Sequence, residues 1–247
     1  MKVIYEPKGA AREYAALAVN LFKGCTHACR YCYVPPILRR DRVAFHEDVT
    51  TREGVLEALE RDAAALETAG DTRRVFLCFT CDPFPSVEGV DLTLQALGIL
   101  GKHHRPVEVL TKSSLADLAF PILKHMDAKF GISLVWHCDY RRREWEPGAS
   151  SVSRRVRLLE SAQHWGIPTF VSMEPVVDPL EAFGAFQLVK SFAGEIRVGR
   201  LNHMEPPEPV EWALFANLMR DQLQAWAAKS PGRTWMLKKG LRELVEG

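Results

Sequence analysis

The chain has 247 residues, of which 47% are hydrophobic and 26% charged, a length and balance that support one folded domain with a substantial core and exclude wholesale disorder. Lys and Arg total 32 against 31 Asp and Glu, for a formal net charge of +1. No global field therefore draws the chain to nucleic acid or a membrane surface, and any polyanion site is local.

The N-terminal MKVIYEPKGAAREY lacks the apolar run of a secretory signal, and no uncharged apolar stretch approaches membrane-spanning length. Six cysteines without a compact disulfide spacing fit a reducing compartment. A cytoplasmic protein with no membrane partner is expected.

In chain order, residues 15–22 form an apolar run ending at Lys23-Gly24, read as a first buried strand that delivers a cysteine-bearing loop, 24–35. Residues 50–69 carry Val55, Leu56, Leu59, Ala63 and Leu66 at helical spacing, and Gly70 stops that helix. Residues 75–80 (VFLCFT) read as a second strand, closed by Asp82-Pro83.

The alternation continues with a helix over 92–100, a strand over 107–111, a helix over 115–126 and a strand over 130–135. A helix over 152–165 stops at Gly166, and a strand over 167–172 follows. Asp178 as N-cap with Pro179 at the first helical position opens a helix to about 192. Residues 195–201 read as a sixth strand and 210–228 as a long helix, with Pro-rich 205–209 a turn into it. Units of about thirty residues are the length of a β-α-β repeat. The expected fold is α/β, a partial (β/α)6 barrel of TIM type, in one domain over 1–247 with a C-terminal helix and tail at about 206–247.

The densest chemistry lies in GCTHACRYCYVP, where Cys25, Cys29 and Cys32 are spaced C-x-x-x-C-x-x-C. Three soft thiolates on one tight loop can hold three irons of a 4Fe-4S cubane and leave the fourth without a protein ligand, the open position that marks a reactive metal. The other reading is a zinc site with His27 or His46 as fourth ligand, but zinc sites usually show two separated ligand pairs rather than a triplet on one loop.

This stretch resembles the signature of the radical S-adenosylmethionine enzymes. The resemblance implies that the open iron binds the cofactor's amino and carboxylate groups and that reductive cleavage yields methionine and a 5'-deoxyadenosyl radical, which abstracts hydrogen from a substrate. It implies an external electron donor of flavodoxin or ferredoxin type, and that Tyr31 lies against the adenine.

In α/β barrels the loops at the C-terminal strand ends converge, which selects Thr80, Cys81, Asp82, Thr111, Lys112, Ser133 and Glu174. Lys112 can pair with a carboxylate and Ser133 with polar groups; the alternatives are a surface lysine and a filled core position. FTCDP, VLTK, GISL, WEPGASS and Arg154-Arg155 resemble the spore photoproduct lyase group, which repairs a thymine dimer lesion in DNA. That likeness places Lys112 at the cofactor carboxylate, Ser133 near its polar end and Cys81-Asp82 at the methionyl amino group. Glu146 fixes a loop or contacts ligand.

The chain departs from that group where a hydrogen-donating cysteine is replaced by Phe79, flanked by Cys78 and Cys81. Strand alternation puts Cys81 on the side of Phe79 and Cys78 on the other, so Cys81 is the stronger donor candidate and Cys138 a weaker one. A buried structural thiol is the alternative. Arg200, Asn202 and His203 in GRLNH orient substrate or form a turn. Arg39, Arg40 and Arg42, Arg141–Arg143, and Lys238 with Lys239 are the local basic patches.

A radical enzyme acting on nucleic acid is the leading expectation. A peptide or small-metabolite substrate, and a non-catalytic zinc module that binds nucleic acid, are the alternatives.

Overall fold

The computed structural model describes residues 2–245; Met1 and the last two positions of the tail lie outside them. After a 3-10 turn at Gly9–Glu13, the first apolar run divides into β1 (Leu17–Val19) and β2 (Phe22–Lys23). Asn20 stands at the break because its side chain is engaged elsewhere. Its Oδ1 accepts from the backbone N–H groups of Phe79 and Thr80 at 2.8 and 2.9 Å, and its Nδ2 donates to the Tyr5 hydroxyl at 2.8 Å.

The cysteine loop then leaves the sheet, carries α1 (Val34–Ile37) and α2 (Arg42–Glu47), and returns as β3 (Thr50–Thr51), which pairs antiparallel with β2. Residues 50–54, expected inside a helix, form this ribbon and a turn through Gly54, whose φ of +62° suits glycine. The helix itself is α3 (Val55–Thr68), and Gly70 ends it at φ +64°.

The remaining units are β4 (Val75–Leu77), α4 (Val87–Lys102) and β5 (Val107–Thr111), a 3-10 turn at Ser114–Ala119 with α5 (Phe120–Leu123), then β6 (Ala128–Ser133) and α6 (Asp139–Trp145). They continue with α7 (Val152–His164), β7 (Thr169–Val176), α8 (Pro179–Val189), β8 (Glu195–Arg200), α9 (Trp212–Ala227), β9 (Thr234–Leu237) and α10 (Lys239–Arg242). The helix expected over 115–126 is split because Pro121 has no N–H to continue a helical ladder. Asp178 caps α8 through the N–H groups of Leu180 and Glu181.

Seven strands form one parallel sheet in the order β1-β4-β5-β6-β7-β8-β9. This is the α/β partial barrel expected, with β9 as an additional strand beside β8. Fully buried Val75, Phe76 and Leu77 typify strands covered on both faces.

The interior is plugged at the N-terminal end. Glu108 and Arg197, both buried, pair at 2.5 Å, and the Arg197 guanidinium lies 4.5 Å from the Phe170 ring centroid. Gly131 makes room for that ring, since a Cβ there would lie 2.5 Å from it. With the base closed, the open space of the barrel is at the C-terminal strand ends.

Candidate functional site

That space is a cavity of about 540 Å³. Cys25, Cys29, Cys32, Tyr31, Cys81, Asp82, Lys112 and Ser133, contributed by the ends of four strands, all line it. The strand-end rule thus brings together residues as far apart in sequence as Cys25 and Ser133.

The cysteine loop is held from three sides. Arg42 points its guanidinium at the loop's carbonyls, with Nη2 donating to Cys29 O at 2.6 Å and to Arg30 O, and Nη1 donating to Cys32 O at 3.2 Å. His46 Nδ1 lies 2.8 Å from Cys25 O. From the other side, Arg30 N donates to Trp145 O at 2.9 Å and Gly148 N to His27 O at 3.0 Å. Gly148 allows this approach, because a Cβ would stand 2.1 Å from Thr26 O. Gly24, at φ +92°, approaches Phe45 O as closely as 2.5 Å measured from where its Cβ would be.

Burial pushes all three thiols above their ordinary values, Cys29 up to about 12. A metal or cluster bound there would displace the thiol protons. Their sulfurs are not all within 4.8 Å of one another, whereas a tetrahedral zinc holds thiolates about 3.8 Å apart. The sulfurs thus stand wider apart than the ligands of a single ion, and three soft thiolates on one loop are a donor set that a 4Fe-4S cluster accepts. His27, a fourth zinc ligand in one reading, faces Asp82 instead, with Nε2 2.8 Å from Oδ2.

Asp82 is buried and fully engaged. It accepts from the Thr111 hydroxyl at 2.7 Å and from the N–H groups of Phe84 and Lys112 at 2.8 and 2.9 Å. Burial raises its carboxyl, but His27 and these N–H donors outweigh that and hold it below the usual range. Asp82 thereby ties the cysteine loop to the ends of β4 and β5.

Glu146 plays a parallel part. Its carboxylate is wholly buried, pairs with buried Arg155 at 2.7 Å, and accepts from the Tyr31 hydroxyl. Arg155 also donates to Ser133 O at 2.7 Å. Burial alone raises the Glu146 carboxyl; Arg155, Lys112 and Tyr31 together hold it down. Lys112 Nζ stands 4.0 Å from Glu146 and 5.7 Å from the Tyr31 ring centroid, and Trp145 stacks on Tyr31 with ring centroids 6.5 Å apart. Through these contacts Glu146 holds Tyr31 and the cysteine loop in place.

Several expectations need correction. Cys78 does not point away from Phe79 and Cys81: all three line the cavity, because β4 ends at Leu77 and alternation ends with it. Cys78 and Cys81 form a C-x-x-C pair, and the Cys78 thiol is raised chiefly by burial and then by Cys81. Cys138 does not line the cavity; its thiol faces Glu181 at 3.4 Å.

Each basic patch has one member turned onto the protein, while Arg39, Arg143 and Lys239 stay exposed. Arg42 is spent on the loop, and Arg142 is buried on the carbonyls of Glu146, Pro147 and Ala149. Lys238 is buried 3.7 Å from Glu174.

Tyr14 and Ser172, which carry no local sequence signal, meet Glu174 at the cavity wall. The Tyr14 hydroxyl donates to Glu174 at 2.9 Å and lies 2.5 Å from Ser172 Oγ, and Lys238 Nζ sits 4.1 Å from the Tyr14 ring centroid. Asn202 and His203 also line the cavity, with the His203 ring 6.2 Å from that of Tyr33 on the cysteine loop. Lys238 follows β9, so the strand-end rule finds it once that strand is recognised.

Solved structures share this fold. A spore photoproduct lyase variant with bound AdoMet and dinucleoside spore photoproduct superposes with a TM-score of 0.71 at 14% identity, covering 94% of this chain and 78% of that one. SuiB of Streptococcus suis bound to S-adenosylmethionine gives 0.67 at 10% identity, covering 92% and 52%.

Among curated proteins, uncharacterized proteins Rv2578c of Mycobacterium tuberculosis (strain ATCC 25618 / H37Rv) and Mb2609c of Mycobacterium bovis (strain ATCC BAA-935 / AF2122/97) are each 25% identical over 187 residues, 72% of this chain. The chain spans about half the length of these relatives, 54%. The family model of the Radical SAM superfamily matches residues 19–183, across the cysteine loop and the first five strands of the sheet, and the chain belongs to that superfamily.

Proposed function

We infer that this chain is an enzyme in which Cys25, Cys29 and Cys32 hold a 4Fe-4S cluster, S-adenosylmethionine docks at the uncapped iron, and a substrate in the same cavity loses a hydrogen atom. The carrying observation is the convergence of the three cysteines with Tyr31, Cys81, Asp82, Lys112 and Ser133 on one cavity. When bound, cluster and cofactor supply the 5'-deoxyadenosyl radical; the chain supplies placement and shelter.

Lys112 offers a cation on the cavity wall for the cofactor carboxylate, a charge-assisted contact. Asp82 fixes the Lys112 backbone from below, and Arg155 fixes Ser133 through its carbonyl. Tyr31, held by Lys112, Trp145 and Glu146, offers a fixed wall for the adenine. Cys81, buried at the cavity wall, is the candidate to return hydrogen: its S–H bond breaks as the substrate C–H bond forms, leaving a thiyl. A Cys81→Ala chain that still forms 5'-deoxyadenosine but yields products unquenched by thiol hydrogen would support that role; unaltered products would remove it.

A nucleic-acid substrate is favoured by the likeness to the lyase, whose structure holds a dinucleoside lesion. A peptide is the second reading, since SuiB, of the same fold, is seen bound to its precursor peptide SuiA. DNA affinity that falls steeply with salt supports the first, because phosphate neutralisation releases counterions; salt-independent or absent binding supports the second. Among the described residues no helix is long and apolar enough to cross a membrane, and a cytoplasmic setting with a flavodoxin- or ferredoxin-type electron donor fits the reading.

The reading is tested by anaerobic reconstitution with iron and sulfide, followed by reduction in the presence of S-adenosylmethionine. 5'-Deoxyadenosine is expected, and none from a fully loaded chain refutes it.

A further inference from the structure

Outside the cavity, the loop after β6 and the head of α8 bring His137, Cys138 and Glu181 together. His137 Nδ1 lies 2.7 Å from Glu181 Oε2, and Cys138 Sγ lies 3.4 Å from Oε1. The three donor atoms all fall within 4.8 Å of one another, the one His, Cys and carboxylate trio among the described residues to do so.

The arrangement is supported from behind. Glu181 is buried at 7% exposure in the first turn of α8 and also accepts from the His137 backbone N–H at 2.9 Å. Gly184, one turn later, lets the imidazole lie against the helix, since a Cβ there would stand 2.6 Å from His137 Cγ. The outer side is open, with the His137 side chain 49% exposed.

We propose that His137, Cys138 and Glu181 form a second metal site that takes one divalent ion of the zinc class. Imidazole, thiolate and carboxylate form a nitrogen, sulfur and oxygen set that zinc accepts and that magnesium and calcium, which take oxygen ligands, do not. A tetrahedral zinc spaces nitrogen and oxygen donors by about 3.3 Å and sulfur and oxygen by about 3.5 Å. Cys138 Sγ already stands 3.4 Å from Glu181 Oε1, while His137 Nδ1 contacts the other oxygen, Oε2, and has to move off it to share the ion.

On binding, the Cys138 thiol proton leaves to solvent and the imidazole proton sits on Nε2, freeing Nδ1 for the ion. Three protein donors leave a fourth position toward water on the exposed side of His137. The ion joins the loop that follows Ser133 to the helix that follows β7, and so stiffens two segments at the catalytic face. This inference does not rest on the proposed radical chemistry.

The test uses the full chain reconstituted with iron and sulfide, so that the cysteine loop is filled, then dialysed against micromolar Zn²⁺ and analysed by elemental mass spectrometry. One zinc per chain is expected in addition to iron. H137A and C138S, which change partly exposed side chains, should each weaken zinc more than about a hundredfold while keeping the metal-free melting temperature. Co²⁺ should give a sulfur-to-cobalt charge-transfer band that C138S abolishes and the Cys78→Ser/Cys81→Ser chain retains.

If reconstitution fails, the Cys25→Ser/Cys29→Ser/Cys32→Ser chain should bind zinc equally well, which separates this site from the other claim. No zinc at micromolar concentration, or zinc and the band retained in the H137A/C138S double variant, overturns the proposal.

Discussion

Replacing Arg155 with Met should be the most damaging single change to the framework under the cavity. Arg155 and Glu146 are both fully buried and paired at 2.7 Å, and the next cation to the carboxylate, Lys112, stands at 4.0 Å. Removing one partner of such a pair strands a charge and costs about 3–5 kcal/mol. At about 2–4 °C per kcal/mol for a chain of this size, the melting temperature should fall roughly 6–20 °C.

Arg155→Met combined with Glu146→Leu strands no charge and should recover much of the loss, so the two changes should be strongly non-additive. Thermal and denaturant unfolding of the four chains under anaerobic conditions measures this cycle. A loss below about 1 kcal/mol for Arg155→Met, or additivity within about 0.5 kcal/mol, would refute the reasoning that the pair is what fixes Tyr31 and Ser133.

Gly148→Ala should push the 146–149 turn off the cysteine loop, because its Cβ meets Thr26 O at 2.1 Å; reconstituted iron per chain should fall, and full iron with an unchanged melting temperature would count against the close-approach argument. Asp82 and Glu146 both titrate below the ordinary carboxylate range when folded. Their contribution to stability is therefore complete above about pH 5 and is lost as pH falls through their folded values. Denaturant midpoints should decline below about pH 4, and Glu146→Gln should flatten that decline; a midpoint that rises on acidification would show the sign to be wrong. Lys112→Met should weaken S-adenosylmethionine about ten- to a hundredfold, the value of a charge-assisted contact, read by calorimetry on the cluster-loaded chain; unchanged affinity would remove Lys112 from the cofactor site.

What was legible in the sequence was what repeats locally. Apolar runs bounded by Gly70, Gly166 and the Asp178-Pro179 start placed most strands and helices, and the strand-end rule gathered Cys81, Asp82, Lys112 and Ser133 around the cysteines. What was not legible depends on contacts across the chain. Asn20 holds the Phe79-Thr80 turn through a side-chain oxygen, Arg42 turns inward onto loop carbonyls, and Tyr14 reaches Glu174 from the far end of the sequence. None of these leaves a period in the sequence. β9 is only four residues long, and without it Lys238 reads as surface charge rather than as part of the cavity. The misplaced Cys78 came from extending strand alternation past Leu77, where the strand had already ended.

The central claim is that Cys25, Cys29 and Cys32 grip one cluster whose fourth iron is free to bind S-adenosylmethionine. Its most direct measurement combines iron and sulfide analysis with product detection on the reconstituted, reduced chain. The account expects about four irons per chain, their loss in Cys29→Ser, and 5'-deoxyadenosine formed only by the loaded protein. A colourless chain whose zinc is lost in Cys29→Ser, or a fully loaded chain that releases no 5'-deoxyadenosine, would contradict it.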